Sequence, residues 1–569
     1  MRWIVAVSAA ALTAATACAQ AGIPAQQLAG FRTLQESDLR RDLTYISSDE
    51  LGGRLSLQPG DETATQWIAG QFAKAGLQPP VKAKDGKAGY LQAVSLVEYR
   101  PDRQASSITL ERGGKTTVWH APDALGTYKH AVDLTAGVVF AGFGITAPEL
   151  GYDDYASVDA RGKVVLIFDH EPQEDDPHSI FNGTGNTRYA TARVKVMNAQ
   201  AHGAVAVVIV AEPNRKHLTN AERAVRIGSS IVRPVPLPLQ AIEQDEVHIP
   251  SAIVLDAVAT ELFATAGISP SSAQTAIDRD LKPQSRVLPD TKLTFHLRNS
   301  TERIGISNNV AGLLPGSDPK LAPETILITA HHDHDGMAPC ADPQHPPVSV
   351  PPDPHPCPQI WHGADDNGSG TVGVVALARA FAANPAKPKR SILFVVFASE
   401  ERGLLGAYWM AAHPLRPLAT TRAQINFDMI GRDEAASPQT DGLIKIPADT
   451  TNRLNLIGAL YSPDYDRTIK QEDKLVGLTL DDRFDHESAL NVFFRSDQFP
   501  FVLHNIPAFW WFTGFHPDYH HTTDTVDKID FAKMKKILQL AYLTAWVFAT
   551  ESTPPRFIAN PSAAANARQ

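Results

Sequence analysis

Apolar positions change their period along the chain. Leu39, Leu43 and Ile46 recur at helical spacing, Leu51-Gly52-Gly53-Arg54 interrupts them, and Ala64, Trp67, Ile68, Phe72 and Ala75 resume the same period. Over residues 115–290 the apolar residues gather instead in short runs, Gly137–Phe140, Val164–Phe168 and Ala204–Val210, divided by Gly, Asp and Pro turns. That pattern predicts a β-rich module with a few helices, one of them Thr191–His202 leading into the strand at Ala204. From residue 295 apolar strand runs at Thr325–Ala330, Ser391–Ala398, Ala423–Phe427 and Pro507–Phe512 alternate with helical stretches at Gly370–Ala383 and Phe531–Thr550. Strands alternating with helices predict an α/β fold, with a mostly parallel central sheet flanked by helices.

A chain of 569 residues exceeds one hydrophobic core, so two or three domains are expected. Its 43% hydrophobic and 20% charged content fits a soluble globular protein. The net charge of -10, without any basic stripe, argues against nucleic acid as a partner. Arg2, the Ala-rich apolar stretch Ile4–Thr16 and small residues around Ala17 and Ala19 read as an export signal over residues 1–19. The mature protein is then expected in the periplasm or secreted. Lipid attachment at Cys18 is the alternative; it is disfavoured because Ala15 stands where a lipoprotein signal usually has Leu. No later stretch approaches the roughly 18 uncharged apolar residues of a membrane span. Cys340 and Cys357 share one Pro-rich loop, where an oxidising compartment favours a disulfide; zinc ligation is the weaker reading.

Candidate chemistry lies at the ends of the strand runs. His331 and Asp333 follow the first, in Ala-His-His-Asp-His; Asp366 sits in Gly-Ala-Asp-Asp-Asn-Gly-Ser-Gly; Glu400 and Glu401 follow the strand at 391–398; Asp428 follows the strand at 423–427; His520 stands in Tyr-His-His. Open α/β sheets bind ligands beyond the carboxyl ends of their strands, so these residues can converge. Imidazoles and carboxylates are zinc ligands, and two zinc ions roughly 3.5–4 Å apart can clamp an attacking and a leaving oxygen. Asp366, in a Gly-rich turn, suits a bridge between them. Asp366, Asp428 and Glu401 leave two Zn²⁺ ions with net positive charge, which lowers the pKa of bound water. Glu400 can take the proton released. Asp333 is placed to hydrogen-bond the second ring nitrogen of His331.

These motifs resemble the co-catalytic di-zinc peptidase family that includes bacterial leucine aminopeptidases and the glutamate carboxypeptidase II type. The resemblance runs through His-x-Asp, Gly-x-x-Asp-Asn-x-Ser-Gly, Glu-Glu-x-Gly-Leu-x-Gly, Ser496-Asp497-Gln498-Phe499-Pro500-Phe501 and Tyr519-His520 followed by Asp524-Thr525. It implies one zinc on His331 and Asp428, another on Glu401 and His520, and Asp366 bridging. It further implies Glu400 as general base, Tyr519 polarising the scissile carbonyl, and a cis peptide at Asp366-Asn367. Tyr155-Ala156-Ser157-Val158-Asp159 and Gly162-Lys163-Val164-Val165-Leu166 resemble an inserted protease-associated domain. The implied organisation is a signal at 1–19, peptidase segments at 30–114 and 295–552, the insert at 115–290 and a disordered tail at 553–569. The implied function is an exported exopeptidase acting on peptides, an aminopeptidase first, using a metal-bridging water activated by Glu400. A carboxypeptidase or dipeptidase on the same site is the alternative, and a non-catalytic receptor-like protein the third. His332 and His334 fall where the pattern is open, His362 and His516 read as loop or rim residues, and Trp510, Trp511 and Phe512 read as strand and core.

Overall fold

The computed structural model describes residues 22–82, 86–216, 236–338, 359–440, 442–487 and 490–561, together with 218, 219 and 222. The expected export signal at 1–19, Cys18, and the expected disulfide partners Cys340 and Cys357 lie outside these residues. The larger sheet is built from β1 (Leu91–Pro101), β2 (Leu239–Ile242), β3 (Asn299–Leu314), β4 (Thr325–His331), β5 (Ser391–Phe397), β6 (Thr421–Phe427), β7 (Arg453–Ile457), β8 (Thr479–Asp481) and β9 (Ala508–Phe512). Their order among the described residues is β2-β1-β3-β5-β4-β6-β9-β7-β8. Parallel pairing is confined to the centre, β5-β4-β6-β9, and to the β7-β8 edge pair; the joins to β3 and β7 are antiparallel.

Every residue of β4 and β5 is buried, as expected for strands covered on both faces. The period of two still sorts their side chains. Ile326 and Ile328 enter one core with α1 (Glu36–Ile46), α2 (Pro59–Lys74), α3 (Gly370–Ala383) and α4 (Phe531–Thr550), while Leu327 enters the other with Tyr408, Met410 and Phe501. The central parallel strands set the site: β4 ends on His331, β5 ends just before Glu400 and β6 ends just before Asp428.

The inserted module forms a second sheet from Lys115–Trp119, Ser107–Arg112, Arg286–Leu297, Val132–Phe140, Val164–Phe168, Ala206–Val210, Ser251–Val254 and Ala124–Thr127. It therefore takes in residues on either side of the expected 115–290 limits. β2, expected within the insert, instead pairs with β1 and forms the edge of the other sheet, Gln240 opposite Glu98. Residues 556–558, expected within a disordered tail from 553, pack on the larger domain instead. The Phe557 ring stacks on Tyr461 at 5.2 Å, the Ile558 N–H donates to Tyr461 O at 2.8 Å, and Arg556 pairs with Asp464. One aromatic anchor in a polar stretch was enough to hold it, and composition alone hid that anchor.

Arg54 ties the N-terminal helices to the site loops. Gly52 and Gly53, at φ of 50° and 70°, turn the chain so that the guanidinium enters the interior. It donates to the carbonyl oxygens of Ile46, His332, His362 and Gly363 at 2.7–2.9 Å and is 1% exposed. Burial lowers its pKa to about 10, against the pull of nearby carboxylates, yet it stays charged at neutral pH. Arg54→Met strands four buried acceptors, each costing about 1–3 kcal/mol. Urea unfolding of this variant is expected to show a loss of at least about 3 kcal/mol, against under about 0.5 kcal/mol for the exposed Arg41→Met.

In the second sheet, Asp169, His170 and Glu212 follow two parallel strands and bring donor atoms within 4.8 Å of one another. Burial would lower His170, but Glu174, 2.8 Å from its Nδ1, with Asp169 and Glu212, raises it to about 9. The raised imidazolium stabilises the fold fully below pH about 6.5, the unfolded value, and that contribution disappears as pH rises through about 9. Up to about 3 kcal/mol of stability is expected to be lost across that window. His170→Gln should flatten this part of a stability–pH curve.

Candidate functional site

His331 closes β4, its carbonyl oxygen accepting from Thr371 Oγ1 at 2.7 Å. Its Nε2 lies 3.5 Å from Asp366 Oδ1, 3.6 Å from Asp428 Oδ1 and 3.7 Å from Glu400 Oε2. His520, at φ 57°, brings its own Nε2 to 3.1 Å from Asp366 Oδ2 and 3.2 Å from Glu401 Oε2. Asp366 thus offers one oxygen to each imidazole. Both Nε2 atoms are buried and make no hydrogen bond of acceptable geometry. Donors bonded to one tetrahedral ion at 2.0–2.2 Å stand about 3.3–3.6 Å apart. The His331 set has that spacing and the His520 set is slightly tighter. A third imidazole, His334, joins Asp366 and Glu401 with donor atoms within 4.8 Å.

The turn carrying Asp366 is held from three sides. Its Asp366-Asn367 peptide is cis, as the resemblance implied. The Asp524 carboxylate accepts from the backbone N–H groups of Asp365 and Asp366 at 3.0 and 3.1 Å. Asn367 donates to Phe427 O at 2.9 Å and accepts from Gly370 N at the same distance. A Cβ on Gly370 would lie 2.3 Å from Asn367 Oδ1, so only glycine lets α3 start this close to β6. Beneath, Asp365 accepts from Gly431 N at 2.6 Å and faces His516 Nε2 at 3.2 Å. His516, expected at the rim, is 1% exposed and braces this turn. His362, also expected at the rim, is half-buried and bonds Asp49.

Asp333 departs from its expected contact. Its carboxylate is 3.8 Å from His331 Nδ1, too far for a hydrogen bond, and the ring nitrogen faces the Asp333 backbone oxygen at 3.2 Å instead. The carboxylate accepts from the backbone N–H groups of Glu400 and Glu401 at 2.9 and 3.3 Å. It therefore orients the Glu-Glu pair, whose entry through Ser399 at φ 53° needs such support. Asp428 accepts from Ser496 Oγ at 2.6 Å, and Trp510 Nε1 donates to its backbone oxygen at 2.9 Å. Trp510, Trp511 and Phe512 are buried in β9, as expected. Tyr519 accepts from Arg495 Nη2 at 3.2 Å, and its ring centroid lies 4.2 Å from that of His520.

The electrostatics follow from burying so many carboxyl groups together. Burial pushes Glu400 well above the carboxylate range, His331 opposing and Asp428 and Glu401 adding. Burial does the same to Asp497, and lifts Asp333 to about 6. Burial would lower His331 and His520, but Glu400 and Asp428 beside the first and Glu401 beside the second hold both well above the usual imidazole value. Glu401 is held well below its usual value by His520 and His334 despite burial. Burial raises Tyr519 to about 12, so its hydroxyl remains a donor at neutral pH. Sequence reasoning missed Arg54, His334, Asp335 and Arg402. An arginine after two glycines, and a second acidic residue four positions beyond His331, were the available signals.

Residues 309–545 match the model of Peptidase family M28, and residues 134–262 match the PA domain. A probable zinc metalloprotease of Pyrenophora teres f. teres is 38% identical over 112 residues, 18% of this chain and 24% of that protein. Aminopeptidase YwaD of Bacillus subtilis is 26% identical over 295 residues, 51% of this chain and 45% of the relative. The chain thus spans less than half the length of these relatives. Among solved structures, the aminopeptidase from Aneurinibacillus sp. strain AM-1 aligns over 93% of this chain and 96% of its own, at 18% identity and a TM-score of 0.46. Residues 309–545 thus form a peptidase family M28 region, preceded at 134–262 by a PA domain.

Proposed function

We propose that this protein is a zinc-dependent exopeptidase, specifically an aminopeptidase releasing N-terminal residues from peptides. The observation that carries this reading is Asp366, whose two oxygens face two imidazole Nε2 atoms at 3.5 and 3.1 Å. The donor set suits two Zn²⁺ ions. His331, Asp428 and Asp366 would hold one, and Glu401, His520 and Asp366 the other. Zinc bound there would supply Lewis acidity to a scissile carbonyl and to water.

The chain's own groups divide the remaining work. Glu400 takes a proton from the attacking water and delivers it to the leaving amine, keeping proton transfer within the site. Asp333 fixes Glu400 through its backbone N–H, so the carboxylate points into the cluster rather than out of it. Tyr519 keeps its proton and can donate to the carbonyl oxygen as charge develops there, with Arg495 holding the phenol in place. Residues 1–19 support export to the periplasm or beyond, with removal of that segment, ahead of lipid attachment at Cys18.

Elemental analysis of the purified chain is expected to give two zinc ions per molecule, and chelation should abolish hydrolysis that zinc then restores. Glu400→Gln is expected to retain both ions and lose roughly 10²–10⁴-fold in kcat. Substantial turnover by a fully metallated Glu400→Gln protein would remove Glu400 from the base role. Unblocked peptides should be cleaved and N-acetylated ones spared; the opposite preference would replace the aminopeptidase reading with a carboxypeptidase.

A further inference from the structure

The two donors on the His520 side each have a dedicated partner, and both partners come from the residues immediately after Asp333. His520 Nδ1 lies 2.9 Å from Asp335 Oδ2, and Arg402 Nη2 donates to the other oxygen, Asp335 Oδ1. His334 Nδ1 lies 2.7 Å from Glu401 Oε1, leaving Oε2 as the oxygen that faces His520. Both His334 and Asp335 are buried, at 0% and 3% exposure. The other side is built differently. His331 Nδ1 faces a backbone carbonyl and Asp428 takes a serine hydroxyl, so its partners are neutral.

An imidazole whose Nδ1–H donates to a carboxylate is fixed as the tautomer with its lone pair on Nε2, and the carboxylate raises the basicity of that lone pair. Arg402 holds Asp335 Oδ1, which leaves Oδ2 as the oxygen that faces His520. Two motifs are thereby cross-braced. Glu-Glu-Arg supplies Glu401 and the arginine that holds Asp335, while His-His-Asp-His-Asp supplies His331 and the carboxylate that holds His520.

Resting on the di-zinc reading, we propose that Asp335, clamped by Arg402, is a positioning residue for His520 that sets the affinity of one metal position and leaves the other unchanged. Competition titration of the full-length apoprotein with zinc and a chromophoric chelator tests this. Asp335→Ala is expected to weaken one of two zinc positions by roughly 10–100-fold while the other keeps its wild-type affinity. Peptide hydrolysis should fall at limiting zinc and return to near the wild-type kcat at excess zinc. Arg402→Gln should shift the same position by less. Should Asp335→Ala fail to fold, the isosteric Asp335→Asn is titrated instead and is expected to weaken that position about 10-fold. Two wild-type affinities in a folded Asp335 variant, or equal weakening of both positions, would overturn the assignment. A wild-type chain that binds no zinc defeats the di-zinc reading itself, whereas a wild-type chain with two ions and an unaffected variant defeats only the role of Asp335.

Discussion

The constraint on which the rest of the structure depends is the burial of like charges at one sheet edge. Asp333, Asp335, Asp366, Glu400, Glu401, Asp428 and Asp497 all lie near the carboxyl ends of β4, β5 and β6, each buried or nearly so. Carboxylates this close in a low-dielectric interior cannot all ionise without compensating positive charge. The chain supplies some of it, through Arg54 beneath the loops and Arg402 beside Asp335, and in imidazoles drawn toward protonation by their neighbours. Burial pushes Glu400 and Asp497 the other way, well above the usual carboxylate range. A fold gains nothing in stability from such a cluster compared with apolar packing. Its retention is understandable where divalent cations complete the charge balance.

Much of the fold could be read from the chain because its strongest signals are local. β4 and β5 are continuous apolar runs, and α3 and α4 have the bounds their periodicity predicts. His331, Glu401 and Asp428 were legible for the same reason, since each lies at or just beyond the end of a strand that the sequence marks. Pairing partners were not legible, because they depend on which strands become neighbours. β2 lies inside a segment whose other strands form a different sheet, yet it joins β1, and no period distinguishes it from them. Phe557 was hidden likewise: its worth depends on Tyr461 lying opposite, 96 positions back in the numbering, and a composition average over the tail dilutes it.

Contacts around the donors were harder to read than the donors themselves. His-x-Asp suggested that Asp333 serves the imidazole two residues away. In the folded chain the carboxylate reaches instead to the backbone of Glu400 and Glu401, 67 and 68 residues distant in sequence. Spacing reports where a side chain starts, and the direction of a turn decides where it ends. His516 shows the same limit, because its value lies in closing over Asp365, a contact set by the return of the chain after β9.

The position of β2 gives the inserted module a route to the chemistry. Gln240, in β2, accepts from the hydroxyl of Ser399 at 3.2 Å, and its amide lies within 3.4 Å of Ser56 O. Ser399 is the left-handed residue immediately before Glu400, and Ser56 follows Arg54 by two positions. One side chain from the insert therefore spans the two segments that frame the carboxylate cluster. Elsewhere the module rests on the larger domain through Arg193 stacked 4.0 Å over Tyr408 and the Asn186–Asn491 hydrogen bond. Those contacts fix its seat, whereas Gln240 reaches the backbone that aims Glu400. An insertion held only at its rim could be lost with little effect on the site. One that lends an edge strand to the sheet, and a side chain to the turn before the base, is part of the scaffold on which the site is built.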